Sequence, residues 1–426
     1  MKKRIFGALA AAWCFQAVYA AVPDTGTTTS LFGSAFYQEG QIEKADAGLQ
    51  NYQKMVDQRY GFTLGMDSRV NDRLRILASA QIFMWSTAGQ EGSNTTVQTI
   101  IVPKDGEGIY TFGSDPASPT PGLQIALGYF PFKYDAEATN FGEYLLNPRT
   151  GTYPQYIITD FDNDESTVLG FRATSFSFAG NLRQDLLVTS EVNLQLPPFG
   201  DFSLGYLIGY KVQKMLDVGG GIFLNRVLPI APQLTTLPGQ VAEVEGNGDT
   251  VYYTKQGVKL MLRAAFDPKA LLPNDIASLF GPEDGKLYSE SAILGVKDYG
   301  ADYNDVWQRN PRMVGFNIPS FRVLDVLSFE LEYFKTPALY TNDLQNIQTS
   351  AEPSVALNGL KNNPWDWSIY AKKTLAKGVS LRALIGKDHY LGYQIDYMGN
   401  PTGAGGAAAM RSSGTWHYDA KVQYEF

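Results

Sequence analysis

The sequence predicts an all-β fold, a transmembrane antiparallel up-and-down β-barrel of about sixteen strands. Three observations predict it. Polar and apolar residues alternate singly over many segments, the period of a strand with one wet and one greasy face. Short, turn-rich joins alternate with long ones along most of the chain. No apolar run reaches the about 18 residues that a membrane helix needs, so any crossing has to be made by strands. The composition is that of an ordered chain. Only 18% of the residues are charged and 13% are aromatic, whereas a disordered chain would be charge-rich and aromatic-poor.

The formal charge of −8 argues against nucleic acid as a partner. One Cys and two His leave no internal disulfide and no Cys/His zinc set, and no cofactor is expected. The N-terminus opens with Lys2, Lys3 and Arg4, continues with an apolar stretch over 5–18 broken by Gln16, and places small residues at Val18 and Ala20. This pattern reads as a secretory signal peptide over 1–20, leaving 21–426 as a single barrel domain. A lipid-modified Cys14 is disfavoured, because Trp13 sits where a small residue is needed. Cleavage would remove three positive charges and the only Cys.

Taken in order, a first strand reads near 31–38, after a linker that includes 27–29. Further strands read at 55–66, 72–85, 106–113, 122–131, 167–178, 182–195, 202–213 and 218–228. Seven more follow at 251–266, 286–297, 312–318, 325–334, 365–374, 379–388 and 415–426. The total is sixteen, with fourteen and eighteen as the next counts. The alternation is clearest where Phe202, Leu204, Tyr206, Ile208 and Tyr210 interleave with Ser203, Gly205, Leu207, Gly209 and Lys211. Leu77, Phe83, Leu207 and Met261 loosen the polar face. Two joins depart from the short–long rule. The one at 197–201 is very short, and the one at 267–285 is long, with a helical turn expected over 268–280. A soluble β-sandwich would share the same period, so these segments count toward β structure rather than toward a membrane.

The segment 415–426 carries more. Thr415, His417, Asp419, Lys421, Gln423 and Glu425 alternate with Trp416, Tyr418, Ala420, Val422, Tyr424 and Phe426. Ten residues at about 3.3 Å each span roughly 33 Å, and a tilt of about 40–45° brings that near 25 Å, the height of a lipid band between two aromatic girdles. A closing strand of this kind, ending in Tyr424 and Phe426, resembles that of Gram-negative outer-membrane β-barrels. The resemblance rests on the signal peptide and on 415–426, and elsewhere on pattern alone. It implies export to the outer membrane of a Gram-negative-type bacterium and a lipid bilayer around the barrel. It also implies that Tyr424 and Phe426 belong to the insertion signal read by the barrel-assembly machinery.

Sixteen strands enclose more space than side chains fill, so a water-filled lumen follows. The join 131–165 lies between the fifth and sixth strands and is 35 residues long, unusually long for a plain connection. The chain is similar in this topology to porins, in which the loop at that place folds inward as a constriction. The resemblance implies a channel for passive diffusion of small hydrophilic solutes or ions, not an enzyme, and a homotrimer. Glu143 and Arg149 are then candidates for the constriction. Arg73, Arg75, Arg172, Lys211, Lys259 and Arg263 should face the lumen by alternation. Acidic loop against basic wall would set ion selectivity. Tyr144 and Tyr153 could stack on solute rings, although aromatics in such a place more often build a girdle or pack the loop. The charges of 143–165 would equally decorate a solvated outer loop. The alternative function is a surface-binding, adhesin-type barrel without an open pore.

Other chemistries find less support. Asp160, Asp162 and Asp164 begin like a calcium loop, but Glu165 replaces the sixth-place Gly and Phe171 the twelfth-place carboxylate. Asp388 and His389 are neighbours on a strand and so point to opposite faces. His417 faces the lumen with no obvious partner in the sequence.

Overall fold

The computed structural model describes residues 27–45, 53–54, 56–88, 96–112, 122–132, 166–190, 202–228, 242–244, 250–252, 257–293, 296, 306–310, 312–333, 364–387 and 413–426. The signal-peptide reading of 1–20 and the loop over 133–165 lie outside the described residues. The first half of the wall comprises β1 (Thr28–Lys44), β2 (Val56–Arg69), β3 (Leu74–Ala88), β4 (Thr96–Phe112), β5 (Leu123–Phe132), β6 (Ser166–Ser177), β7 (Leu182–Ser190), β8 (Phe202–Val212) and β9 (Leu216–Leu228). A small hairpin of β10 (Ala242–Val244) and β11 (Thr250–Tyr252) follows. The second half comprises β12 (Gly257–Phe266), β13 (Leu287–Ile293), β14 (Arg312–Asn317), β15 (Val326–Tyr333), β16 (Trp365–Ala376), β17 (Val379–Lys387) and β18 (Trp416–Glu425).

The sixteen wall strands form one closed barrel with antiparallel neighbours throughout. β9 pairs directly with β12, leaving the β10–β11 hairpin outside the ring. Closure is made by β18 on β1, with Ser34 opposite Glu425 and Ile42 opposite His417. Gly33 and Phe426 exchange two backbone hydrogen bonds of 3.0 Å each at the foot of that seam. Closing the ring leaves no unpaired edge.

Face by face, the wall inverts the plan of a soluble protein. On β18, His417, Asp419 and Lys421 are buried and point inward, while Val422 and Tyr424 are exposed outward. Leu64 on β2, Leu127 on β5, Leu262 on β12 and Val314 on β14 are each half or more exposed, on the outward face. Soluble monomers rarely expose so continuous an apolar surface. Aromatic pairs mark both ends of it. Tyr333 meets Trp365 at 4.9 Å toward the long joins. Tyr110 meets Phe112 at 4.6 Å and Tyr424 meets Phe426 at 5.8 Å toward the short turns. Two girdles around an apolar band are what lipid-facing strands present. No helix among the described residues is long and apolar enough to cross a membrane.

Glycine lets large inward side chains lie flat on the wall. Tyr288, Gly315 and Glu330 are register neighbours across β13, β14 and β15. A Cβ on Gly315 would fall 2.0 Å from the Tyr288 ring, so the ring crosses the wall only because the position is bare. The Tyr288 hydroxyl then donates to Glu330 Oε1 at 2.7 Å.

Three expectations need correction. β1 begins at Thr28, and Thr28 and Thr29 pair with Arg69 and Ser68, so this stretch is strand rather than linker. β4 begins at Thr96, some ten residues before the expected start. A bulge explains why the alternation hid it: Ser79 faces Asp105 but Ala80 faces Pro103, so Lys104 is extra and the inward parity flips across it. The strand expected over 251–266 is divided, because Thr250–Tyr252 pairs with β10 and the wall strand starts at Gly257.

The long join at the short-turn end holds two helical turns, as expected: a 3-10 turn Pro268–Leu271 and an α turn Asn274–Ala277. Asp267 caps the first by accepting from Lys269 N at 3.0 Å. Asp284 ties this join to the turn at 318–325. It accepts from Gly281 N at 2.8 Å, Phe321 N at 2.9 Å and Ser320 Oγ at 3.1 Å. Burial pushes its carboxyl up, but these hydrogen bonds outweigh burial and hold it below the usual carboxylate range.

Candidate pore wall

Arg172 (β6), Lys211 (β8), Lys259 and Arg263 (both β12) project inward, in register with Ala126, Asp217, Phe223 and Glu290 respectively. Arg75 also turns inward, at the short-turn mouth, where it forms a two-pronged pair with Asp67: Nε donates to Oδ1 at 2.8 Å and a terminal nitrogen to Oδ2 at 2.7 Å. Arg73 does not lie on a strand. It sits exposed in the bend 71–73, held by a 2.8 Å hydrogen bond from its backbone N to Asn71 Oδ1. Asn71 starts a side-chain-closed turn there, so the alternation begins one residue later. Glu143, Arg149, Tyr144 and Tyr153 lie outside the described residues.

Along β4 to β12 the inward cations and anions interleave. Glu107 lies 3.7 Å from Arg172, whose guanidinium also covers the Phe130 ring at 4.8 Å. Asp185 lies 2.8 Å from Arg183 and accepts from Thr174 Oγ1 at 2.6 Å. Asp217 lies 2.7 Å from Arg263. Ser79 and Asp105 are joined by a further hydrogen bond.

The remaining arc is sorted by sign. Lys372 (β16), Arg382 (β17), Lys421 (β18), Gln38 (β1) and Arg59 (β2) occupy one continuous register row across five strands. Four of those five are cations, and Lys421 also stands 4.4 Å over the Phe36 ring. A second row runs Asp366 (β16), Glu332 (β15), Met313 (β14) and Glu290 (β13), three carboxylates in four positions. Six residues of β16 separate Asp366 from Lys372, roughly 20 Å at about 3.3 Å per residue. Asp366 lies 2.8 Å from Lys387 with both side chains almost fully buried. His417 finds a partner in Asp419, two residues on and on the same face, at 3.5 Å.

These inward charges are crowded. Lys259 and His417 have 0% of their surface exposed and Lys421 1%. Among the described residues, no group of three His, Cys, Asp or Glu side chains is placed to hold a metal ion.

No family profile and no curated protein matches the sequence. The chain is similar in structure to a mutant porin of Rh. blastica, with 10% identity and a TM-score of 0.44 over 94% of this chain and 100% of that one. It is likewise similar to Salmonella typhi OmpF in complex with daunomycin, with 11% identity and a TM-score of 0.47 over 95% of this chain and 99% of that one.

Proposed function

We propose that this chain is a porin-like outer-membrane channel that passes small hydrophilic solutes or ions by passive diffusion and catalyses no reaction. The observation that carries the reading is the inversion of the closed wall, charged inside and apolar outside between two aromatic girdles. A ring of sixteen strands is wider than its own side chains can fill. The sorted arc would lay a field across the bore and orient dipolar solutes within it. Glu143 and Arg149 would line the constriction, in the join that follows β5, with Tyr144 and Tyr153 as stacking surfaces for solute rings. Residues 1–20 would direct export and be removed. Tyr424 and Phe426 would serve the barrel-assembly machinery, and the assembled unit would be a homotrimer.

Purified protein in a planar bilayer should give ohmic conductance with a definite cation-to-anion preference. Silence at every voltage and salt tested would end the channel reading. A charge swap at Glu143 that left selectivity unchanged would remove that residue from the constriction. A closed, surface-binding barrel is the second reading, favoured by the near-complete burial of Lys259, Lys421 and His417. It predicts a folded, membrane-inserted and non-conducting protein.

A further inference from the structure

The short-turn end of the barrel carries a feature that a diffusion channel does not require. The join 267–286 and the turn 318–325 are fastened together by Asp284 and by Arg322 Nε, which donates to the Phe280 carbonyl at 3.2 Å. The Phe280 and Phe321 rings stack at 5.4 Å. Phe321 and Arg322 both take left-handed backbone angles, φ 52° and 68°. Such angles cost a non-glycine residue free energy and persist only where the surroundings hold them. This tethered shelf turns its apolar side chains outward to solvent: Leu271 is 66% exposed, Leu279 62%, Phe321 60% and Val323 69%. A patch of that kind on a rigid platform marks an interaction surface.

Continuity identifies what covers it. The outward column of β14, Val314 and Phe316, runs through exposed Ile318 into Phe321 and Val323, so the shelf prolongs the lipid-facing band. Its two joins connect β12 to β13 and β14 to β15 at the short-turn end, where the outward band ends. We infer that the shelf lies in the inner-leaflet interface of the surrounding membrane. There it buries Leu271, Leu279, Phe321 and Val323 among the glycerol and upper acyl regions of phospholipid. This rests on the reading that the barrel crosses a membrane.

The test uses the full chain with Cys14→Ser, reconstituted in phosphatidylcholine vesicles, with one fluorophore on Leu279→Cys or Phe321→Cys. Leu127→Cys on the lipid-facing band and Asp72→Cys in a short turn are the references. Shallow spin-labelled lipid should quench both shelf probes about as strongly as the Leu127 probe, and iodide should quench them several-fold less than the Asp72 probe. Quenching by iodide with none by spin-labelled lipid overturns the inference. Protection from both quenchers overturns it too, because a protein surface or a second copy would then cover the shelf. If the Leu127 probe also escapes spin-labelled lipid, the membrane reading itself has failed. Either probe position decides alone, so one variant that does not fold leaves the test intact.

Discussion

The β4–β12 arc and the β13–β2 arc of the wall use the same residue types to opposite ends. In the first, charges meet opposite charges nearby: Glu107 with Arg172 two strands away, Asp185 with Arg183 on the same strand, and Asp217 with Arg263 on the next strand. Field lines there close locally. In the second, like charges fall into register, with Arg59, Lys421, Arg382 and Lys372 in one row and Asp366, Glu332 and Glu290 in another. Like charges in register on adjacent strands repel, and in this arc Asp366 is also met by Lys387 at 2.8 Å.

Breaking a buried pair should have the largest effect on stability. Asp366→Ala strands Lys387 in a buried site and should cost about 3–5 kcal/mol, read as a lower denaturant midpoint for loss of heat-modifiable gel mobility. Next comes the interleaved arc. Arg263→Ala, which leaves Asp217 without its 2.7 Å partner, should cost about 1.5–3 kcal/mol, with selectivity barely moved. Arg382, in the register row of cations, should respond the other way round. Arg382→Ala should leave the folded barrel in place yet remove roughly 1 kcal/mol of attraction for a passing anion, about a fivefold fall in local anion occupancy. Reversal potentials in a salt gradient would show it as a shift toward cations. A larger selectivity change from Arg263→Ala than from Arg382→Ala would dissolve the distinction between the arcs. The pair of Arg75 and Asp67 is partly exposed, so Asp67→Asn should cost only about 0.2–1 kcal/mol. The smallest effect is at Asp284, in the join 267–286. Its carboxyl is held low, so its contribution is fully present above the ordinary carboxylate pKa of about 3.9. It fades only as pH falls through the depressed value. Acidification should loosen the shelf, seen as faster amide exchange over 318–325, without altering selectivity at neutral pH.

The alternation in the sequence carries the face of each strand, and Arg172, Lys211, Lys259 and Arg263 lie on the inward parity of theirs. Register is a different quantity. A two-residue period says which way a side chain points and nothing about which residue stands beside it on the next strand. Hence the row of Lys372, Arg382, Lys421 and Arg59 was invisible, although each cation sat on a recognisable inward position. Local irregularities defeated the pattern in the same physical way. The extra residue at Lys104 reversed the parity of β4, and the Asn71 turn pulled Arg73 off its strand. His417 and Asp419, two apart on one strand, could have been paired from the sequence by the same period.

The seam between β1 and β18 has a consequence for how the protein is made. Gln38 and Asp419 meet across it although 381 positions separate them along the chain. Until both strands are present, β1 can be satisfied on one side only, and every smaller piece of the ring would display bare edges and oily surface together. A growing polypeptide of this design gains little by settling early. Until the two distant ends meet, its bare edges and oily surface leave it open to clumping.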